Sequence, residues 1–249
     1  MKEEWIFGKN PITEALRSNR SIHKIWIADG TKKSHVQEIV QRAKEKNITL
    51  LYSPRKKLDE LAQTTRHQGV VAVVSAYEYK ELDDLFALAT ERREDPFFVL
   101  LDEISDPHNL GSILRTAEAS GVHGVIIPKR RSAGLTQVVA KASAGAIEYV
   151  PVVRVTNMAR TIDALKKQGL WIVGTDMETR DDFRTLDSDM PIGLVIGNEG
   201  KGMSRLVKEK CDLLVKIPMN GRVSSLNASV AAGLLMYEIY RKRSPLGRA

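Results

Sequence analysis

The chain has 249 residues, 43% hydrophobic and 28% charged, a composition that buries a core and argues against a disordered chain. Its formal net charge of +7 suits a nucleic acid or another anionic surface as partner, without choosing between them. The lone cysteine, Cys211, excludes an intrachain disulfide and a cysteine-based metal cluster, and it fits a reducing compartment.

The opening MKEEWIFGKNPITEAL lacks the basic-then-apolar layout of a signal peptide. Residues 22–28 (IHKIWIA) alternate like a half-buried strand, and residues 35–46 have helical spacing through Val36, Ile39, Val40 and Ala43. A short strand is expected over 48–52. Ser53 and Pro54 are then expected to open a helix through Leu58 and Leu61, with Ser53 as cap. Residues 70–75 read as a buried strand. This βαβα order predicts a small three-layer sandwich over residues 1–76.

Charge is uneven along the chain. Residues 1–76 carry +6, residues 77–94 carry −3 and the remainder carries +4. The acidic stretch 77–94 reads as a linker with a short helix at 82–91, and residues 95–249 read as a second domain. Strands are expected there at 97–101, 124–127, 148–152, 170–175, 193–196 and 213–217, with helices between them and a final helix over 224–241. The pattern predicts a mostly parallel sheet with helices on both faces. The apolar run 230–237 is too short to span a bilayer, so a soluble cytoplasmic protein is expected.

Parallel α/β sheets place ligands at the carboxyl ends of their strands. Three such ends carry unusual sequences: DEISDPHNLGSILRT (102–116), GNEGKGMS (197–204) and IPMNGRVSSLNAS (217–229). No GxGxxG follows the first strand, and GNEGKGMS lacks the spacing of a nucleotide phosphate loop. The histidines at 23, 35, 67, 108 and 123 lack metal-ligand spacing, and no GxSxG elbow marks a hydrolase. What remains is a set of Gly-rich, amide-rich loops whose backbone can approach a nucleoside closely.

NLGSILRTAEASGV, VIGNEGKGMS and IPMNGRVSSLNASVAAG, in that order, resemble the three motifs of the SpoU (TrmH-like) RNA 2'-O-methyltransferases of the SPOUT class. The resemblance implies an α/β catalytic domain with a deep trefoil knot, S-adenosylmethionine as cofactor, no metal, RNA as substrate and a homodimer whose site is completed across the interface. It implies that the upstream block is an RNA-binding domain like ribosomal protein L30e. GKNPITEAL and TTRHQGVVAVV are most similar to the 23S rRNA guanosine-2'-O-methyltransferase branch.

Carried onto this sequence, the motifs imply catalytic roles for Asn109, Arg115, Glu199, Ser225 and Asn227, and main-chain cofactor contacts at Gly197, Ile217 and Leu226. Arg115 stays protonated, so it is expected to hold a substrate phosphate and stabilise charge near the attacking 2'-oxygen. Activation of the hydroxyl is its alternative role. Glu199 is expected to orient an arginine or the ribose. Ser224, with Ser225 and Asn227, is expected to open the last helix, as a cap compatible with function. Lys32, Lys33, Arg55, Lys56, Lys57 and Arg66 are collective candidates for phosphate contact. The alternatives are the same reaction on tRNA and a non-catalytic RNA-binding ribosome-assembly factor.

Overall fold

The structure, a computed structural model, describes residues 3–18, 20–222 and 225–244. In chain order the elements are β1 (Glu3–Phe7), α1 (Lys9–Arg17), β2 (Ile22–Ala28), α2 (Lys33–Glu45), β3 (Thr49–Ser53), α3 (Arg55–Ala62), β4 (Val70–Ser75), α4 (Leu82–Arg92), β5 (Phe97–Leu101) and α5 (Pro107–Ala119). They continue with β6 (Gly124–Pro128), α6 (Gln137–Ala142), β7 (Val152–Val155), α7 (Met158–Lys167), β8 (Trp171–Thr175), β9 (Ile192–Ile196), α8 (Arg205–Lys210), β10 (Leu213–Val215) and α9 (Ala228–Arg243). None of the described helices is long and apolar enough to cross a membrane.

The chain forms two compact units. One holds the residues up to Glu78 together with Leu135–Tyr149; the other holds Tyr79–Gly134 and the chain from Val150 onward. In the first unit the sheet order is β1-β4-β2-β3, with β4 antiparallel to β1 and β2, and β3 parallel to β2. Ile25 and Ile27 of β2 bury toward α1 and α2, joining Ile12, Leu16 and Ile39. Trp26 and Ala28 point the other way, onto Leu58 of α3. Alternation along one strand thus feeds both faces, and the expected three layers result. A register shift between Ile22 and Lys24 restores Ile22 to the α1/α2 face.

The segment before residue 22, for which the sequence predicts no element, supplies an edge strand, β1, and the helix α1. Ser53 does not cap α3: it is paired with Ala28 in the ladder, and Pro54 occupies the cap position. Of the strand expected over 148–152, only Val152 is strand. Ala146–Glu148 make a single 3-10 turn, and β7 begins only at Val152.

That last difference has an electrostatic reason. Glu148 is drawn to Arg20 of the first unit, with Nη1 3.1 Å from Oε1, while Ser18 Oγ donates to its Oε2 at 3.0 Å. Arg20 also donates to Glu4 (2.7 Å) and to the Ser75 carbonyl (2.9 Å), and its guanidinium lies 3.4 Å from the centre of the Tyr77 ring. The Arg20 and Glu148 side chains are 6% and 5% exposed, so each charge depends on its partners. Burial pushes the Tyr77 hydroxyl far above its usual range, and it stays protonated.

The second unit has a six-stranded parallel sheet, β10-β8-β9-β5-β6-β7. Its central strands, FFVLL of β5 and IGLVI of β9, are buried throughout, as a sheet covered on both faces requires. Met158, Ile162 and Leu165 of α7 cover one face with Val207 of α8. Helices α5 and α9 pack together and contact β6 and β9 respectively.

The stretch expected to be a linker does carry the expected helix. From Tyr79 onward, however, it belongs to the second unit, where Leu85 of α4 is fully buried against Phe98 and Ile126. Gly124 permits this approach, since a Cβ there would lie 2.3 Å from Leu85 Cγ.

Replacing Glu148 with alanine should lower unfolding stability by about 3 kcal/mol, because it leaves Arg20 buried and short of a partner. Amide exchange across 135–149 should quicken with it. Unaltered exchange in that segment would show that other contacts hold it.

Candidate active site

All six strands of the second sheet end on one edge, and the three unusual loops leave it from β5, β9 and β10. After β5 the chain turns through Asp102 and Glu103 (φ +60°) into α5. Asp106 caps that helix, its Oδ1 accepting from the His108 amide at 2.8 Å, and Pro107 occupies the first turn. The cap sets Asn109 in the first turn, facing the loop after β9.

One carboxylate oxygen gathers the site. Glu199 Oε1 accepts from Asn109 Nδ2 at 2.7 Å, from Asn227 Nδ2 at 2.6 Å and from the Ala228 amide at 3.0 Å. Asn227 Nδ2 also lies 2.9 Å from Asn109 Oδ1. Asn227 is in addition the cap of α9, its Oδ1 accepting from the amides of Ser229 (3.0 Å) and Val230 (3.3 Å). The helix therefore begins at Ala228, later than the expected 224, and Ser225 precedes it. Ser224 lies outside the described residues.

The glycine loop is shaped by backbone contact. Asn198 and Gly202 exchange both main-chain hydrogen bonds, at 3.0 and 2.8 Å, and Asn198 Oδ1 caps the amides of Gly200 and Lys201. A Cβ on Gly197 would lie 2.4 Å from Gly202 C and Met203 N, so no side chain fits there. Two groups that sequence reasoning missed anchor this loop. Buried Asp102 accepts the Ser204 amide at 2.7 Å, and Asn198 Nδ2 donates to the Glu103 carbonyl at 3.2 Å. The only signal for Asp102 was its place as the first polar residue after an all-apolar strand.

Beside this cluster lies a cavity of about 640 Å³, lined by Gly197, Glu199, Ile217, Ser225 and Leu226 among others. Four expected site residues besides Glu199 thus share it. Met203, Val215, Ile217 and Leu226 give it apolar wall; Asp176, Glu178 and Lys208 give it a charged end. Burial opposes ionisation of Asp176, but the Lys208 ammonium at 2.5 Å and the Glu178 amide outweigh it and hold the carboxyl below its usual range. The volume, the bare backbone and the mixed lining suit a nucleoside-sized cofactor.

Arg115 is not brought into the cluster. It lies farther along α5, exposed, with no hydrogen bond or ion pair to any described residue. Asn109, Glu199 and Asn227 are joined directly; Gly197, Ile217, Ser225 and Leu226 join them through the cavity wall.

Residues 96–237 match the SpoU rRNA Methylase family. The chain belongs to the SpoU family. Residues 5–80 of this SpoU protein match a second description, RNA 2'-O ribose methyltransferase substrate binding. A Bacillus subtilis relative named for the TrmH family of tRNA/rRNA methyltransferases, YacO, is 60% identical over 246 residues, 99% of this chain and 98% of the relative. The crystal structure of the SpoU methyltransferase AviRb from Streptomyces viridochromogenes, in complex with AdoMet, overlays with a TM-score of 0.81 at 30% identity, covering 97% of this chain and 90% of that one. An AdoMet-bound rRNA methyltransferase from Sinorhizobium meliloti gives 0.78 at 25% identity, covering 96% and 87%.

The one cysteine of this SpoU chain sits near the cavity but is chemically quiet. Cys211 donates to the Val207 carbonyl, and burial first, with Asp212 adding to it, pushes its thiol up to about 12. At pH 8 about one thiol in ten thousand is then ionised, so the folded protein should resist alkylation that the unfolded chain undergoes readily. Rapid modification of the native protein at pH 8 would contradict this. Asn227→Ala should lower stability by about 1 kcal/mol through the lost cap, measured by urea unfolding.

Proposed function

We propose that this SpoU-family protein transfers a methyl group from S-adenosylmethionine to a ribose 2'-oxygen of structured RNA, a guanosine of 23S rRNA. The observation that carries the reading is the Asn109–Glu199–Asn227 cluster, locked through one carboxylate oxygen at the wall of a nucleoside-sized cavity. The +6 charge of residues 1–76 supports RNA as the partner, bound collectively by Lys32, Lys33, Arg55, Lys56, Lys57 and Arg66. All six are exposed. The similarity of GKNPITEAL and TTRHQGVVAVV to the 23S branch supports the choice of ribosomal substrate.

When bound, S-adenosylmethionine supplies an electrophilic methyl group on a sulfonium and departs as S-adenosylhomocysteine. Main-chain groups of Gly197, Ile217 and Leu226 hold it against the cavity wall, where the chain path forms the family's trefoil knot. Much of the acceleration is positional, because both reactants are bound. Glu199 Oε1 is saturated by its three donors, which leaves the other carboxylate oxygen to orient the ribose. Ser225, exposed at the cavity, contacts substrate. Arg115 keeps its charge and holds a substrate phosphate, and the 2'-hydroxyl loses its proton late or through a neighbouring phosphate.

A homodimer completes the reading. Val230, Leu234, Tyr237 and Tyr240 are each 42–50% exposed at helical spacing along α9. Such a stripe suits a second copy of the chain, which would bring the unpaired Arg115 of one protomer to the cavity of its partner.

The test uses labelled S-adenosylmethionine with unmodified 23S rRNA, 16S rRNA and tRNA. Nuclease-resistant label at one 23S guanosine is expected, and Arg115→Ala should lose about a hundredfold or more in turnover while still binding RNA. Label only in tRNA would move the substrate and keep the chemistry. A protein that binds the cofactor yet labels no RNA would favour a ribosome-assembly role.

A further inference from the structure

Besides the N-terminal unit, the catalytic unit carries its own cationic loop. Lys129, Arg130 and Arg131 follow β6 directly, and all three are exposed. The loop is tightly held. The Lys129 amide donates to the Val155 carbonyl at 2.8 Å, and the Lys129 carbonyl accepts from Arg154 Nη2 at 3.1 Å. Arg154 in turn lies 4.8 Å from the centre of the Tyr79 ring. Ser132 Oγ donates to the Pro128 carbonyl at 2.5 Å, and the Ala133 amide to the Ile104 carbonyl at 2.9 Å.

Two contacts join it to the loops of the active site. Ile104 belongs to the loop that leads into α5 and Asn109. Arg131 Nη1 lies 2.9 Å from Glu103 Oε1, while the Glu103 carbonyl accepts from Asn198, the neighbour of Glu199. One residue in a left-handed conformation thus ties the basic loop to the glycine loop. Arg131 already has a carboxylate partner in that pairing. Lys129 and Arg130 have no hydrogen bond from their side chains and no ion pair among the described residues.

The order of functions along the sheet edge follows from strand order. The cavity lies at the ends of β10, β8 and β9, the Asn109–Glu199–Asn227 cluster between β9 and β5, and the basic loop after β6. Neighbouring strands are spaced by about 4.8 Å, so the loops after β9 and β6 start about 10 Å apart. A nucleotide strand rising about 3.4 Å per residue covers that in about three nucleotides.

We infer that the Lys129–Arg130 loop is a phosphate-binding platform that grips the RNA strand a few nucleotides from the ribose being methylated, on the side away from the cofactor cavity. The inference rests on the proposed RNA methylation and adds a second electrostatic contact to that of the N-terminal unit. The held backbone matters: it fixes where the two side chains leave the sheet edge, so binding need not order the loop as well. Phosphate contacts of this kind fix register without reading sequence.

The double variant K129A/R130A tests it in the full-length protein, with K129R/R130K as the charge-preserving control and RNA binding measured across a salt series. The platform predicts a KM for RNA raised about tenfold, with kcat and cofactor affinity within twofold of the parent. It also predicts a plot of log Kd against log salt that is shallower by about 1.4, the loss of two single-strand phosphate contacts. K129R/R130K should restore both values. An unchanged KM together with an unchanged salt slope overturns the platform, as does a loss confined to cofactor binding. If the parent labels no RNA, the methylation reading fails, and the salt slope alone decides the platform.

Discussion

A single carboxylate oxygen, Glu199 Oε1, joins the loop after β9 to the starts of α5 and α9. It takes donors from the first turn of α5, from the residue that caps α9 and from the first amide of α9 itself. Charge-assisted bonds of this kind are roughly twice as strong as neutral ones, and here they converge on one atom. Asn227 serves the helix with its oxygen and the carboxylate with its nitrogen, so the start of α9 and the geometry of the site are one structure. Preorganisation is the consequence: the polar groups are fixed before substrate arrives.

The scaffold makes that convergence possible. A parallel sheet delivers every strand end to one edge, and the buried β5 and β9 place the loops of Asp102 and Gly197 side by side. Asp102 then accepts the Ser204 amide and Asn198 reaches the Glu103 carbonyl, so the glycine loop is held from both of its ends. Gly197 is obligatory in this arrangement because the backbone of Gly202 and Met203 occupies the space of a Cβ. At Gly197 the cavity wall is thus bare main chain, which a ligand can approach closely.

Much of this was legible in the sequence, and the parts that were not share a cause. Ile22–Ala28, Val70–Ser75 and Phe97–Leu101 are strands at the expected bounds, because alternation or continuous apolarity is a local signal. Helix α4 was legible as a helix, but its docking through Leu85 depends on the missing side chain at Gly124, which no periodicity displays. The strand expected from Glu148 starts only at Val152, because Glu148 closes a turn and answers to Arg20, 128 residues away. At the site the motifs named Asn109, Glu199 and Asn227. Their meeting on one oxygen spans separations of 90 and 28 residues and belongs to three dimensions. Arg115, named by the same motif as Asn109, stands apart from the cluster within one chain, since six residues along a helix do not return to the same face.

The most direct test of this account is a double-mutant cycle on single-turnover methyl transfer with Asn109→Ala, Glu199→Ala and the two combined. If one carboxylate oxygen makes these residues a unit, the combined variant should be about as slow as the slower single variant. Rate losses that multiply would show that Asn109 and Glu199 act independently, and the central role given to that oxygen would be wrong.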